Sequence, residues 1–298
     1  MSTMSRDGLM PPTRAKANVA RTAHLTAWVR TLGRLTSGAS ANADDLAARF
    51  LLPYQRALNR VPNVARWLIE RILPGAFGYF NARTQYFDAV LLQELHLGLE
   101  QLVILGAGFD SRPFRFAAQL RGVRVFEVDM PQVLSVRTAG FVDLRGAAMA
   151  SIAVPIDFEH DDLGAVLSTH GYAADARTLF LWEGVAYYLP VAAVHAVLSI
   201  VAAHSGPGSS ILFDYVTQAF FEGDRRSYGA GRLADSWRRL GNVNRSGIGD
   251  VAAFIRPHGL QLRSDVDAGD LEHRYLGSLP GRAVKAWGAM RIAHAARA

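Results

Sequence analysis

The sequence contains no cysteine, which excludes disulfide bonds and thiolate metal sites. It also lacks the HxxxH and HExxH spacings of zinc enzymes and the Gly-x-Ser-x-Gly turn of serine hydrolases. No apolar run approaches the roughly 20 residues that cross a bilayer, and the first residues do not have the pattern of a secretory signal. We therefore expect a cytoplasmic protein that has no metal site and does not enter a membrane.

Lysine is nearly absent, because only Lys16 and Lys285 occur and arginine supplies the rest of the positive charge. The formal net charge is +6 and the isoelectric point is about 9.9. The arginines are spread along the chain, and no aromatic and glycine RNA-binding motif accompanies the pairs at 225–226 and 238–239. This dispersal disfavours nucleic-acid binding, and an acidic small-molecule partner would account for the charge equally well.

The most informative stretch begins with the short apolar run Leu102–Leu105, which is typical of a buried strand. Gly106, Ala107 and Gly108 follow at once, and glycines here let the backbone turn tightly beside a ligand. A helix and a second apolar strand then lead to Asp129. Because Asp129 lies about 20 residues beyond the turn, its carboxylate has the spacing that meets a ribose hydroxyl. The pattern predicts half of a nucleoside-cofactor fold.

The details of the glycine turn distinguish between cofactors. A dinucleotide fingerprint has a third glycine where this chain has Ser111, and the preceding Asp110 would repel a pyrophosphate. S-adenosylmethionine has a ribose, a sulfonium and an ammonium group but no phosphate, so it suits the turn better. A nicotinamide-dependent oxidoreductase remains the alternative that shares this half-fold.

Acidic residues follow four successive predicted strands, at Asp129, Asp157, Glu183 and Asp214. In an open parallel sheet, ligands bind outside the carboxyl ends of the strands. Together with the alternation of helices and strands, this repetition predicts an α/β, doubly wound, mostly parallel Rossmann-like sheet with a cofactor cleft along one edge.

Four segments, ILGAGFDSRPFR, FEVDMPQVL, PIDFEHDDL and LWEGVAYYLP, occur in this order and resemble the leucine carboxyl methyltransferase family. The resemblance covers roughly residues 83–275. It implies a class I S-adenosylmethionine-dependent O-methyltransferase with a seven-stranded sheet. Such an enzyme releases S-adenosylhomocysteine as its product and uses no metal. It also supports an N-terminal helical cap that acts as a lid.

The resemblance also implies roles for individual residues. Gly106 would lie beside the cofactor, Asp129 would bind the ribose, Asp157 and Phe158 would meet the adenine, and Glu183 would lie near the methionine end. The full set of predicted cofactor-binding residues is Arg83, Gly106, Ala107, Gly108, Asp110, Asp129, Met130, Asp157, Phe158, Glu183 and Gly184. The predicted substrate-binding residues are Tyr187, Tyr188, Tyr215 and Tyr228, and the sequence identifies no catalytic residue.

Arg83 is placed by its spacing as well as by the motif ARTxxxD at residues 82–88. Arg83, Phe87 and Leu91 are each four residues apart, so they share one face of a predicted helix. A buried arginine needs a partner. The methionine carboxylate of the cofactor matches the guanidinium in a two-bond fork, and the resemblance implies the same role.

The chain divides into a leader and helical cap (residues 1–82), a methyltransferase domain (83–280) and a basic C-terminal tail (281–298). Within the domain, residues 217–249 form an inserted lid with a helix at Arg232–Leu240. The runs Leu260–Leu262 and Arg274–Leu276 are predicted to be the closing strands.

These observations predict an S-adenosylmethionine-dependent O-methyltransferase that acts on a carboxylate or hydroxyl of a small molecule, such as a secondary metabolite. A non-catalytic S-adenosylmethionine-binding protein is one alternative. Carboxyl methylation of a protein and methylation of tRNA are the others. The sequence leaves the oligomeric state open.

Overall fold

The computed structural model describes residues 14–144, 151–240, 245–277, 279 and 283–297. In this part of the chain, seven strands form one sheet in the order β3-β2-β1-β4-β5-β7-β6. Strands β1 to β5 are parallel to one another, and β7 is antiparallel to both β5 and β6. The predicted mostly parallel, seven-stranded sheet is therefore confirmed. The strands are β1 (Gln101–Leu105), β2 (Arg124–Asp129), β3 (Ile152–Pro155), β4 (Thr178–Trp182), β5 (Ser210–Val216), β6 (Leu260–Val266) and β7 (Met290–Arg297).

The central strands are continuously apolar because helices cover both faces of the sheet. In β1, Leu102 and Ile104 belong to the core on one face, whereas Val103 and Leu105 belong to the core on the other. Successive side chains of a strand point to opposite faces, so a run without polar residues satisfies both cores at once.

Twelve α-helices surround this sheet among the described residues. They are α1 (Arg14–Ser37), α2 (Pro53–Leu58), α3 (Pro62–Ile72), α4 (Ala76–His96), α5 (Arg112–Arg115), α6 (Pro131–Gly140), α7 (Leu163–Thr169), α8 (Val191–Ala203), α9 (Gln218–Phe221), α10 (Ala230–Leu240), α11 (Val251–Ile255) and α12 (Ala268–Leu271). Short 3₁₀ turns occur at Gly38–Ser40, Ala47–Phe50, Val142–Leu144, Ala186–Tyr188 and Arg256–His258, and a π-helix spans Glu272–Leu276.

Helices α1 to α4 precede the first strand, and the boundary predicted for the cap, after residue 82, falls within α4. Helix α1 packs against α4, and Val29 and Leu32 of α1 join Phe77 and Phe87 of α4 in the core on one face of the sheet. Helix α4 is buried along most of its length because it lies between the sheet and α1. The first 13 residues of the predicted leader and cap lie outside the described residues.

Two predictions at the C-terminus were wrong. Arg274–Leu276 is not a strand, because these residues belong to the π-helix. The second closing strand is β7, within the segment that was assigned to a basic tail. Its sequence MRIAHAAR is rich in alanine, which has low strand propensity. Hydrogen bonding to β5 on one side and β6 on the other determines its conformation.

The predicted insertion at residues 217–249 contains α9 and α10, and the helix expected at Arg232–Leu240 is confirmed as part of α10. Residues 241–244 lie outside the described part. None of the described helices is both long enough and apolar enough to span a bilayer.

Candidate active site

A cavity of about 940 Å³ opens at the carboxyl ends of β1 to β4. Strand β1 has β2 on one side and β4 on the other, so the strand order reverses here, which is where open α/β sheets bind ligands. Residues that follow each of these four strands line the cavity. They are Gly106, Ala107, Gly108, Phe109 and Asp110 after β1, Asp129 and Met130 at β2, Asp157 and Phe158 after β3, and Glu183, Gly184 and Val185 after β4.

The turn after β1 requires glycine. Gly106 and Gly108 have φ angles of 68° and 45°, a conformation that favours glycine. A Cβ atom at Gly106 would lie 2.3 Å from a methyl group of Val185, so a side chain would also collide with the segment after β4. The turn therefore brings the backbone close to the cavity with no side chain in the way.

Asp129 lies at the end of β2, and the backbone orients both of its carboxylate oxygens. The N–H of Gly108 donates to Oδ2 at 2.7 Å, and the N–H of Met130 donates to Oδ1 at 2.7 Å. Burial raises the pKa of Asp129 to about 6, although these two hydrogen bonds lower it. Glu127, two residues earlier, does not line the cavity and forms a buried ion pair with Arg137.

Buried ion pairs hold the carboxylate that follows β4. Arg83 Nε lies 3.0 Å from Glu183 Oε1, and Arg112 Nη1 lies 2.7 Å from Glu183 Oε2. Burial alone would raise the pKa of Glu183, but Arg112 and Arg83 hold it at about 2. Glu183 is therefore ionised throughout the physiological range. The guanidinium of Arg112 also pairs with Asp88 and Asp110.

Arg83 is buried, as its helical spacing predicts, but its side chain has protein partners. Nη1 donates to Asp214 Oδ2 at 2.6 Å, in addition to the ion pair with Glu183. Asp214 also accepts hydrogen bonds from the Tyr79 hydroxyl and the Gly184 N–H. The buried charge of Arg83 is therefore compensated by the protein itself and does not depend on the cofactor, although Arg83 does line the cavity.

Three of the four acids that follow strands line the cavity, and Asp214 does not. Strand β5 continues to Val216, so Asp214 lies within the strand and is fully buried. It faces Arg83, and its role in this structure is to orient that arginine and the backbone after β4.

The predicted substrate-binding tyrosines divide into two pairs. Tyr187 and Tyr188 line the cavity, whereas Tyr215 and Tyr228 are not among its lining residues. Tyr215 donates a hydrogen bond to Asp265 on β6, and Tyr228 is 43% exposed beside Lys285. The structure thus brings only the first pair to the candidate site.

The sequence predicts an N-terminal cap that acts as a lid, but it names no residue of α1 as part of the site. Residues 22–26 of this helix line the cavity, and among them His24 has a defined tautomer. Its Nδ1 lies 2.6 Å from the carbonyl oxygen of Phe50, which can only accept, so Nδ1 bears the proton in the neutral ring. Nε2 is then the basic nitrogen. No local motif marks His24, because its position depends on how α1 crosses the sheet.

The described residues fit the cofactor that the glycine turn suggests. The turn provides a surface without side chains, and the carboxylate of Asp129 is oriented by a backbone hydrogen bond. Met130 and Phe158 line the cavity nearby and provide apolar contacts. No group of three or more histidines, aspartates or glutamates in the described ranges could hold a metal ion.

A family model described as leucine carboxyl methyltransferase matches residues 23–202, more than half of the chain. A Mycobacterium tuberculosis protein provisionally named an S-adenosylmethionine-dependent methyltransferase is 37% identical over 146 residues, 48% of each chain. A Mycobacterium ulcerans protein with the same provisional name is 32% identical over 201 residues, 64% of each chain. The chain thus spans about half the length of the first of these relatives.

The fold also has a counterpart among solved structures. A provisionally assigned methyltransferase from Thermobifida fusca superposes with a TM-score of 0.58, covering 97% of this chain and 99% of that chain at 14% identity. At this identity, the likeness shows the fold alone.

Proposed function

Because the chain belongs to the leucine carboxyl methyltransferase family, we propose that it is an S-adenosylmethionine-dependent O-methyltransferase with a small-molecule acceptor. The observation that supports this most is Asp129, whose two oxygens are oriented by backbone N–H groups beside a glycine turn. Its remaining lone pairs suit the two hydroxyls of a ribose. A cavity of about 940 Å³ is at the large end of small-molecule sites, so it has room for a cofactor and an acceptor.

Each end of the cofactor has candidate contacts in this proposal. Asp129 holds the ribose, Phe158 and Met130 contact the adenine, and the ionised Glu183 favours the cationic ammonium group. Arg83 uses Nη1 and Nε for its two ion pairs, and we assign Nη2 to the methionine carboxylate. Arg83 would then bind the cofactor and at the same time keep its ion pairs with Glu183 and Asp214.

The cofactor supplies an electrophilic methyl group on a sulfonium. When bound, it would let an acceptor oxygen bond to the methyl carbon while the sulfur leaves with the electron pair of the carbon–sulfur bond. The protein aligns the acceptor and excludes water from the cavity. A carboxylate acceptor needs no base, whereas a hydroxyl must lose its proton, and Nε2 of His24 is the group that we assign to receive it.

Calorimetry on the full chain tests the cofactor assignment directly. We expect S-adenosylmethionine and S-adenosylhomocysteine to bind and NADH to give no heat. Binding of NADH alone would refute the methyltransferase proposal in favour of an oxidoreductase.

The acceptor class is tested by incubating the protein with methyl-tritiated S-adenosylmethionine and a cell extract fractionated by size. We expect label in the small-molecule fraction. Label confined to the tRNA or protein fraction would refute the small-molecule part, and no transfer to any fraction would support a non-catalytic binding protein. Release of the label by mild base separates carboxyl esters from ethers.

A further inference from the structure

Aromatic side chains line the part of the cavity away from the predicted ribose site. We call this part the aromatic end, and it consists of Phe80, Tyr187, Tyr188, Trp237 and Trp287. The inference that follows rests on the proposed function, because it assigns this region to the methyl acceptor.

The rings pack closely against one another. Tyr187 and Trp237 are stacked with ring centroids 5.3 Å apart and planes within 19°, and Tyr188 meets Trp237 edge-on at 5.8 Å. Phe80 meets Trp287 edge-on at 5.0 Å. Except for Tyr188, which is half-buried, each ring is less than a tenth exposed. These contacts fix the orientation of the rings. The aromatic end therefore provides flat apolar walls, and its side chains need not become ordered when a ligand binds.

The aromatic end lies directly beside the segment that follows β4. A Cβ atom at Gly184 would lie 3.7 Å from the Tyr187 hydroxyl and 3.3 Å from Arg83 Nη1. The first tyrosine of the aromatic end therefore adjoins the residues assigned to the methionine portion of the cofactor. An acceptor seated against these rings would lie next to the methyl group.

The charges around the cavity oppose an anionic acceptor. Among the described residues, five acids line the cavity (Asp110, Asp129, Asp157, Glu159 and Glu183), against three arginines. Each arginine already faces an acid: Arg30 faces Asp44 at 3.3 Å, Arg83 faces Glu183 and Asp214, and Arg245 faces Glu159 at 2.7 Å. Arg112, just outside the lining, also pairs with Asp110 and Glu183. Every arginine among the described lining residues therefore has an acidic partner already, and a carboxylate on the acceptor would have to compete with these acids for it.

We propose that the acceptor is a neutral aromatic molecule, bound by ring contacts at the aromatic end and methylated on a hydroxyl. Aromatic faces bind such a molecule through buried apolar area and offset or edge-to-face contacts. The acidic acceptor suggested by the overall charge of +6 does not match this lining, because the basic residues lie mostly elsewhere on the chain.

The test uses the full chain saturated with S-adenosylhomocysteine, titrated in a calorimeter at pH 7.5 with 1-naphthol and, separately, with 1-naphthoate. The two probes share a ring system and differ in charge. We expect 1-naphthol to bind about tenfold or more tightly than 1-naphthoate. Equal binding, or tighter binding of 1-naphthoate, would overturn the proposal.

Substitutions at tryptophan locate the bound probe. Trp237→Leu should weaken 1-naphthol binding about tenfold and leave S-adenosylhomocysteine binding unchanged. Trp67→Leu is the matched control, because Trp67 lies on α3, is 62% exposed and does not line the cavity. Circular dichroism melting shows whether Trp237→Leu is folded, and Tyr188→Ala provides a second cavity variant. Unchanged 1-naphthol binding in both folded cavity variants would overturn the proposal.

The proposed function and this inference fail in different ways. If S-adenosylhomocysteine does not bind, the methyltransferase proposal fails, and titration of the free protein with 1-naphthol still tests the aromatic end. If S-adenosylhomocysteine binds and the probes show no preference for 1-naphthol, only the acceptor class is refuted.

Discussion

The two ends of the cavity are built in opposite ways. The polar end, formed by the residues after β1 to β4, contains carboxylates held by backbone N–H groups and by buried arginines. The aromatic end contains rings held by one another. Directional hydrogen bonds are compatible with only a few kinds of ligand group, whereas ring contacts discriminate between ligands by their shape and apolar area. Under the proposed function, the polar end selects the cofactor and the aromatic end selects the acceptor.

The two ends of the cavity also differ in how much a substitution should lower the stability of the protein. Buried charges stabilise a structure only when every one has a partner, and removing one partner leaves the other uncompensated. Trimming a ring removes apolar contacts and leaves no charge behind. Mutations that break the ion pairs of Arg83 at the polar end should therefore affect folding and binding together, whereas mutations at the aromatic end should leave no buried charge without a partner.

The largest effect is expected for Arg83→Ala. This change leaves Asp214 without its arginine and Glu183 with only Arg112. Asp214 is fully buried, and the side chain of Glu183 is only 11% exposed. We expect the free energy of unfolding, measured by urea denaturation, to fall by about 3–5 kcal/mol. Arg83→Lys should recover only part, because one ammonium cannot match both acids as the guanidinium does.

Arg226→Ala is the control for Arg83→Ala. Arg226 pairs with Asp224, but its side chain is 91% exposed, so no measurable loss of stability is expected. Equal loss in the two variants would contradict the view that the polar end depends on buried charge pairs. Under the proposed function, Arg83→Ala should also weaken S-adenosylhomocysteine binding about tenfold.

A smaller effect is expected for Asp129→Asn, and it should appear in binding. Loss of a charged hydrogen-bond acceptor to the ribose should cost about 1.5–3 kcal/mol of S-adenosylhomocysteine binding, measured by calorimetry. Glu127→Gln is the comparison, because Glu127 is paired with Arg137 and lies outside the cavity. It should lower stability and leave the affinity of the folded protein unchanged. The opposite result would assign the ribose to Glu127.

Acidification should weaken cofactor binding through Asp129. Burial raises its pKa to about 6, so the carboxylate is mostly ionised at pH 7 and mostly protonated at pH 5. Only the ionised form can accept from both ribose hydroxyls with all of its lone pairs. The Kd for S-adenosylhomocysteine should therefore rise about tenfold between pH 7 and pH 5. In Asp129→Asn the Kd should stay flat over this range, and a matching rise there would assign the effect to another group.

The sequence predicts the polar end well because its determinants are local. A β-branched strand, a glycine turn and an acid at a fixed spacing each leave a mark within a few residues, as the segment from Leu102 to Asp129 shows. The parallel direction of β1 to β5 follows from the same alternation of helices and strands. These features are sufficient to predict the sheet, the cavity at its edge and the position of Asp129 in that cavity.

The aromatic end could not be predicted in the same way. Its rings come from α4, the turn after β4, α10 and the segment before β7, and no spacing connects them. Tyr187 and Tyr188 were predicted because a motif contains them, whereas Trp237 and Trp287 have no motif. Strand β7 was missed because its alanines favour a strand only between two partners, and His24 because its role depends on the path of α1.

The smallest effect is expected for Tyr228→Ala. The sequence assigns Tyr228 to the substrate, but its ring is 43% exposed and contacts Lys285, whose Nζ lies 5.4 Å from the ring centroid. An exposed cation–π contact is worth about 0.5–1 kcal/mol, so the loss of stability should not exceed that range. The Kd for 1-naphthol, measured by calorimetry, should stay within about twofold of the unsubstituted protein, whereas Tyr188→Ala should raise it about tenfold. A tenfold rise in the Kd for 1-naphthol in Tyr228→Ala would mean that the acceptor extends beyond the aromatic end. Tyr228 would then have to be included in that end of the cavity.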